Sequence, residues 1–272
     1  MKANILVAYP YLKKPMIDLL KQNEHRTRFL LDSGAFTAWK AGKPIALDDY
    51  CRFIESLPFE PWRYFMLDVI GDPKATLKNY ETMLKRGFKP IPIFTRGEDP
   101  SVLEDYYKTS DVVAIGGLVG TKGNKGFVKG IMENVGKRKV HWLGFTDLNF
   151  VKHYKPYSCD ASSWNNGAQF GYVQTIDKRT MTAKTIDNKH FKLLSNLERE
   201  KLFSCFHNGG LKINLNKYNG RYGAPMVTGA KTWTQLSIQY EKKIGTIILL
   251  AVAADYQAHI LLTEFSRYTE AP

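Results

Sequence analysis

The sequence predicts an α/β protein, a (β/α)8 TIM-like barrel followed by a short, irregular C-terminal extension. Three observations predict it. β-Branched and apolar runs alternate with helix-like segments through the first two thirds of the chain, repeating about every 25–30 residues. Seven such strand-then-helix units imply a parallel sheet, because parallel neighbours need a crossover connection, usually a helix. No GxGxxG follows the first strand, which argues against an open dinucleotide-binding sheet. The 272 residues accommodate a barrel, which takes about 250.

The elements follow in order. Asn4–Ala8 is a short apolar run and reads as the first strand rather than a signal peptide, since Tyr9-Pro10 ends it and no small-residue cleavage site follows. Met16–Gln22 reads as a helix, and Arg28–Leu31 as a strand ending in Asp32-Ser33-Gly34. Leu47–Leu57 reads as a helix whose Asp48 and Asp49 suit the positive N-terminal end. Arg63–Leu67 is a strand ending in Asp68. Asp72-Pro73 has the cap-then-proline order that opens a helix, here running to Gly87. The pattern repeats with strand Pro90–Phe94, helix Pro100–Lys108, strand Val112–Ile115 before Gly116-Gly117, and helix Gly126–Val135. Strand Val140–Leu143 ends in Gly144, helix Leu148–His153 follows, and strand Tyr157–Cys159 ends in Asp160.

Beyond Asp160 the regularity fades. Residues 161–225 are polar and rich in Asn, Lys and Gly, and read as loop with one helix near Asn188–His207. A helix is expected at Gln235–Glu241. The apolar Ile244–Ala254 and the amphipathic Tyr256–Ser266 are expected to pack back on the barrel. The expectation is therefore one domain over 1–272, with a core of about 1–171 and a variable tail over 172–272.

Composition narrows the function. Lys plus Arg number 39 and Asp plus Glu 26, a net charge of +13, and 44% of residues are hydrophobic. The apolar share fits a folded protein rather than a disordered one. The longest apolar stretch, Ile247–Ala254, falls far short of the roughly 20 residues that span a bilayer, so no membrane is expected. The charge points to a polyanionic partner, nucleic acid above all. Three scattered cysteines, Cys51, Cys159 and Cys205, with no CxxC, argue against a disulfide framework or structural zinc, and for a reducing cytoplasm. Cys205 and His207 lack a second ligand pair at zinc-like spacing.

In such barrels the chemistry sits at the C-terminal ends of the strands. Those ends carry Asp32, Ser33, Asp68, Thr95, Arg96, Gly116, Gly117, Gly144 and Asp160. Each Asp alone is a possible helix cap. Three at equivalent strand ends would converge on one mouth, and carboxylates there are costly unless paired or used. Gly116-Gly117 leaves a backbone that a flat ligand can approach, or simply makes a tight turn. Phe36 and Leu143 have the size to sandwich a heterocycle, and equally to serve as core.

LDSGAF (Leu31–Phe36), FMLD (Phe65–Asp68), AIGGLVG (Ala114–Gly120), HWLGF (His141–Phe145) and CDASSWNNGAQFG (Cys159–Gly171) occur in the order found in tRNA-guanine transglycosylases, which this chain resembles over roughly Asn4–Gly171. Those enzymes are zinc-containing (β/α)8 barrels that exchange guanine for a 7-deazaguanine. The DxSSW segment is most similar to the DpdA branch, the DNA-guanine transglycosylases of phages and bacterial modification islands. The chain departs from the tRNA enzymes in having no Cys-x-Cys-x-x-Cys…His segment and a tail short for a tRNA-binding insertion, which favours DNA over tRNA. Arg96 also stands where the family places an amide that reads the base.

The resemblance implies the following roles. Asp160 is the nucleophile on the sugar C1′, and Asp32 the general acid/base. Asp68 accepts hydrogen bonds from the guanine edge. Backbone groups of Gly116, Gly117 and Leu118 face the base carbonyl. Phe36 and Leu143 cover the two faces of the base, next to Gly144 and Arg96, and Ser33 fixes the base or Asp32. No cofactor and no metal are required; the partners are DNA, with tRNA as the alternative, and a free 7-deazaguanine base. An N-glycosylase, with water replacing the incoming base, would use the same carboxylates. For phosphate contacts the candidates are Lys122, Lys125, Lys129, Lys137, Arg138 and Lys139, with Lys212, Lys217 and Arg221 in the tail. Trp164 is a candidate stacking residue, or a core tryptophan. The location implied is cytoplasmic, the host's if the chain is phage-encoded.

Overall fold

The computed structural model describes residues 1–118, 123–177, 179–204 and 224–269. Strand β1 (Ala3–Ala8) is buried on both faces except at its last residue, as expected of a parallel strand covered on both sides. Helix α1 (Lys14–Gln22) starts with a proline in its first turn and buries Met16 and Leu20, four apart on one face. Strand β2 (Thr27–Asp32) leads through Gly34 into a short helix, α2 (Ala35–Lys40), that the sequence reading did not anticipate. Gly34 has φ +75°, and a Cβ there would lie 2.3 Å from the Cδ of Pro10, so only glycine fits.

Helix α3 (Leu47–Ser56) matches its expectation. Strand β3 (Arg63–Tyr64) is shorter than expected. Asp72 caps α4 (Pro73–Lys85) by accepting from the Ala75 N–H at 3.0 Å. Strand β4 (Ile93–Phe94) precedes α5 (Pro100–Thr109), which Asp99 caps in the same way. The series continues with β5 (Val112–Ile115), α6 (Asn124–Val135), β6 (Lys139–Trp142), α7 (Leu148–Tyr154) and β7 (Ser158–Ala161).

The stretch expected to be mainly loop contains more order than its composition suggested. After the short α8 (Asn166–Phe170), strands β8 (Tyr172–Asp177) and β9 (Thr182–Asp187) pair as an antiparallel hairpin. Polar Gln174 and Thr175 share the buried positions of β8 with Val173 and Ile176, which hid the strand pattern. Gln174 donates to the carbonyls of Ser163 and Trp164 and accepts from the indole N–H of Trp233, so its burial is fully compensated. The expected helix near Asn188–His207 divides, within the described residues, into α9 (Asn188–Leu193) and α10 (Asn196–Phe203). The break falls at Leu194-Ser195, where Ser195 and Glu198 form a reciprocal capping box.

Helix α11 (Ala224–Ile244) runs well beyond the expected Gln235–Glu241. Its Thr and Ser content lowers intrinsic helicity, but buried packing overrides propensity. Gly229 lets it press on the main chain near Trp164, since a Cβ would come within 1.9 Å of the Trp164 carbonyl oxygen. Strand β10 (Ile247–Val252) and helix α12 (Asp255–Thr269) follow.

The strands form one eight-stranded parallel sheet in the order β3-β2-β1-β10-β7-β6-β5-β4. The two outer strands approach one another beyond their ends, through a parallel bridge between Phe65 and Ile91. There Ile91 N–H donates to Tyr64 O at 2.8 Å and Met66 N–H to Ile91 O at 3.0 Å. The tail is thus not an irregular appendage. Its β10 lies between β1 and β7, pairing Ile5 with Leu250 on one side and Asp160 with Leu249 on the other. The apolar core fills the sheet and the helices packed on it, with Phe65, Phe94, Trp142 and Trp164 among its largest buried members. Among the described residues no helix is long and apolar enough to cross a membrane.

Candidate active site

All strands of the sheet are parallel, so their C-terminal ends share one side, and a cavity of about 540 Å3 opens there. Asp32, Asp68 and Asp160 all line it, together with Phe36, Arg96, Gly116, Gly117, Leu143 and Gly144. Asp32 is the last residue of β2. Its Oδ1 accepts the Gly34 N–H at 2.5 Å, in the tight turn that starts α2. Burial pushes its carboxyl up to about 7; the Gly34 N–H opposes this, while the nearby charges of Asp68 and Asp160 add to it. Burial also raises Asp68, against a backbone N–H and the Ser33 hydroxyl, which donates to Asp68 Oδ1 at 3.2 Å.

Asp160 lies within β7 rather than at its end and is 8% exposed. Its Oδ1 accepts the Gly144 N–H at 2.7 Å and faces His141 Nε2 at 3.2 Å. A carboxylate only accepts, so Nε2 carries the proton. The other ring nitrogen, Nδ1, hydrogen-bonds with the Ser158 hydroxyl at 2.9 Å. His141 and Ser158 are both buried, and their backbones are paired across β6 and β7. Thr146 Oγ1 donates to the Asp160 carbonyl oxygen. Both side-chain contacts of Asp160 fall on Oδ1, leaving Oδ2 unengaged by them.

The sequence reading missed His141, Ser158 and Trp39. Strand parity carried a signal for the first two. Residues two apart on a strand point to the same face, which relates Ser158 to Asp160 and His141 to Leu143. Trp39 belongs to the unanticipated α2 and also lines the cavity.

No family model matches the chain, and no curated protein matches it.

Several expected residues take other roles. Ser33 is buried and holds Asp68 rather than Asp32, and it does not line the cavity. Leu118 is also buried away from the cavity wall, and its carbonyl accepts from Asn124. Gly116 lines the cavity, but its N–H is donated to Phe94 O at 2.8 Å, so that group cannot face a base carbonyl. The glycine is needed because a Cβ would lie 2.7 Å from Ile93 Cγ2, and Gly117 follows with φ +69°. Gly144 likewise commits its N–H to Asp160. Arg96 stands at the cavity with its guanidinium 4.9 Å from the centroid of the Phe127 ring.

Trp164 is a core residue. It is fully buried, and its indole N–H donates to Ala251 O at 2.7 Å. Lys137, Arg138 and Lys139 lie at the start of β6, at the end of the sheet away from the cavity. There Arg138 forks onto Glu104 at 2.7 and 2.8 Å, and Lys139 reaches Asp111 at 3.1 Å. These three do not border the site. Lys125, in the first turn of α6, pairs with Asp147 at 2.7 Å, and Lys129 is exposed on the same helix. Lys122, Cys205, His207, Lys212, Lys217 and Arg221 lie outside the described residues.

Proposed function

We propose that this chain is a base-exchange transglycosylase that replaces guanine in DNA with a 7-deazaguanine base, working in the cytoplasm. The observation that carries the reading is the unequal treatment of two carboxylates in one cavity. Asp32 has a carboxyl raised to about 7, so it gives and takes a proton near neutrality. Asp160 is fixed through Oδ1 by Gly144 and His141, with Oδ2 left to react. One nucleophile and one acid/base is the pairing that double displacement at a glycosidic carbon requires. We read the sheet as a closed (β/α)8 barrel, on the strength of the Phe65–Ile91 bridge between its outer strands.

In this mechanism Asp160 Oδ2 attacks C1′ of the nucleoside, the C1′–N9 bond breaks, and Asp32 protonates the departing guanine. The incoming deazaguanine then loses its N9 proton to Asp32, N9 bonds to C1′, and the ester bond to Asp160 breaks. Asp68 accepts from the guanine edge, with Phe36 and Leu143 covering the faces of the base. A duplex base has to leave its stack to reach this cavity, at a cost of a few kcal/mol.

Incubation of DNA with labelled guanine tests the reading: label enters the polymer at guanine positions. Abasic sites without incorporation would make the chain an N-glycosylase, and incorporation into tRNA alone would overturn the choice of DNA. The His141 contact makes a separate prediction. His141→Phe keeps the ring volume but removes the donor to Asp160, and lowers exchange turnover by about 10–100-fold, the cost of losing an oriented partner. KM for the oligonucleotide stays within a few fold, and His141→Gln recovers part of the rate. An equal loss in both variants with a matching fall in Tm would reduce His141 to packing.

A further inference from the structure

The aromatic rim of the cavity has an unusual exposure pattern. Phe36 and Trp39 stand three apart on α2 and both line the cavity, yet they are 38% and 57% exposed. Their rings lie 6.0 Å apart at an interplanar angle of 26°. The other four tryptophans, at positions 62, 142, 164 and 233, are buried or half-buried. Val69 is a further exposed apolar side chain lining the same cavity. Apolar surface gathered at one mouth is a contact surface, unlike single apolar residues scattered over a protein.

Charge selects the occupant. From Ser33 to Leu47 there is no acidic residue, while Lys40 and Lys43 are present and exposed. The Lys40 ammonium sits 4.5 Å from the centroid of the Phe36 ring. Flat faces beside fixed positive charge suit a chain that offers both π-faces and phosphates. The basic run Lys137–Lys139 lies at the far end of the sheet, with Arg138 and Lys139 engaged by Glu104 and Asp111, and cannot serve this purpose.

We propose that α2 is a stacking platform for single-stranded nucleic acid. Trp39 takes the base flanking the extracted nucleotide, and Lys40 and Lys43 meet the adjoining phosphates. The inference rests on the base-exchange reading for its choice of polymer, and it explains how a flipped base is held: the unstacked neighbour regains a stacking partner. Trp39 supplies the probe, because it is the one tryptophan that is exposed. Titrating the protein with a short single-stranded oligodeoxynucleotide quenches tryptophan fluorescence, and Trp39→Phe removes most of the quench. Trp39→Ala weakens oligonucleotide affinity by about 10-fold, the scale of one stacked base. Lys40→Glu lowers both affinity and the steepness of its salt dependence.

The same titration with Asp160→Asn reports binding in the absence of chemistry. Quenching without base exchange in the wild type would sink the enzymatic reading and keep the platform. Base exchange with no Trp39-dependent quench and an unchanged oligonucleotide KM in Trp39→Ala would sink the platform alone. Equal quenching by polyglutamate would show attraction by charge only, and would overturn the stacking role.

Discussion

Asp160→Asn removes base exchange, lowering turnover by about 10^4-fold or more, as expected when a covalent nucleophile is lost. The amide cannot form the glycosyl ester. Its carbonyl oxygen can still accept the Gly144 N–H and the His141 Nε2–H, so the surrounding β6–β7 geometry is retained. Tm and oligonucleotide affinity therefore stay close to wild type while labelled guanine no longer enters DNA. Asp160→Ala is a less informative variant. It leaves the Gly144 N–H and the buried His141 without their acceptor, at a cost of about 1–3 kcal/mol for an unsatisfied polar group. A stable, folded Asp160→Asn protein with near wild-type exchange would refute the mechanism.

Asp32→Asn has effects of opposite sign on activity and on stability. Without a group that moves protons, turnover falls by about 10^2–10^4-fold. Stability changes differently. The folded protein holds the Asp32 proton more tightly than the unfolded chain does, about 7 against 3.8. Its stabilising contribution is thus complete below about pH 4 and is lost as pH rises through 7. Asparagine keeps an acceptor for the Gly34 N–H and carries no charge to desolvate. The variant gains nothing at pH 4, gains increasingly across the interval, and at pH 8 melts about 5 °C or more above wild type. Thermal unfolding at several pH values measures this. A Tm difference independent of pH would mean that the Asp32 carboxyl is not raised, and its role as acid/base at neutrality would fall with it.

How much of this was legible in the sequence depended on the kind of residue. β5 fell where expected, because Val112–Ile115 is wholly apolar and bounded by Ser110-Asp111 and a glycine pair. The three aspartates were legible through their number: each alone could cap a helix, but three following apolar runs of parallel strands point to one mouth, and all three line the cavity. β8 was not, since Gln174 and Thr175 fill buried positions through hydrogen bonds that span distant segments. The basic run Lys137–Lys139 was misplaced because clustering in sequence says nothing about which end of a strand faces the cavity. Residues just before a parallel strand lie at the far end from those just after it. Trp164 looked available between polar neighbours, but its partner, the Ala251 carbonyl, lies on the last strand.

The position of that last strand has a consequence for how the protein is made. β7 has β6 on one side from early in synthesis, but its other neighbour is β10, from far along the chain. Until β10 inserts, β1 and β7 each present an unpaired edge, the kind of surface that recruits other strands. Contacts so distant in sequence close slowly. A nascent chain therefore passes through a stage in which Asp32, Asp68 and Asp160 have all been synthesised but the strand beside Asp160 is missing. The wall of the cavity beside Asp160 is completed only once β10 is in place, and the period before that is when aggregation competes most strongly with folding.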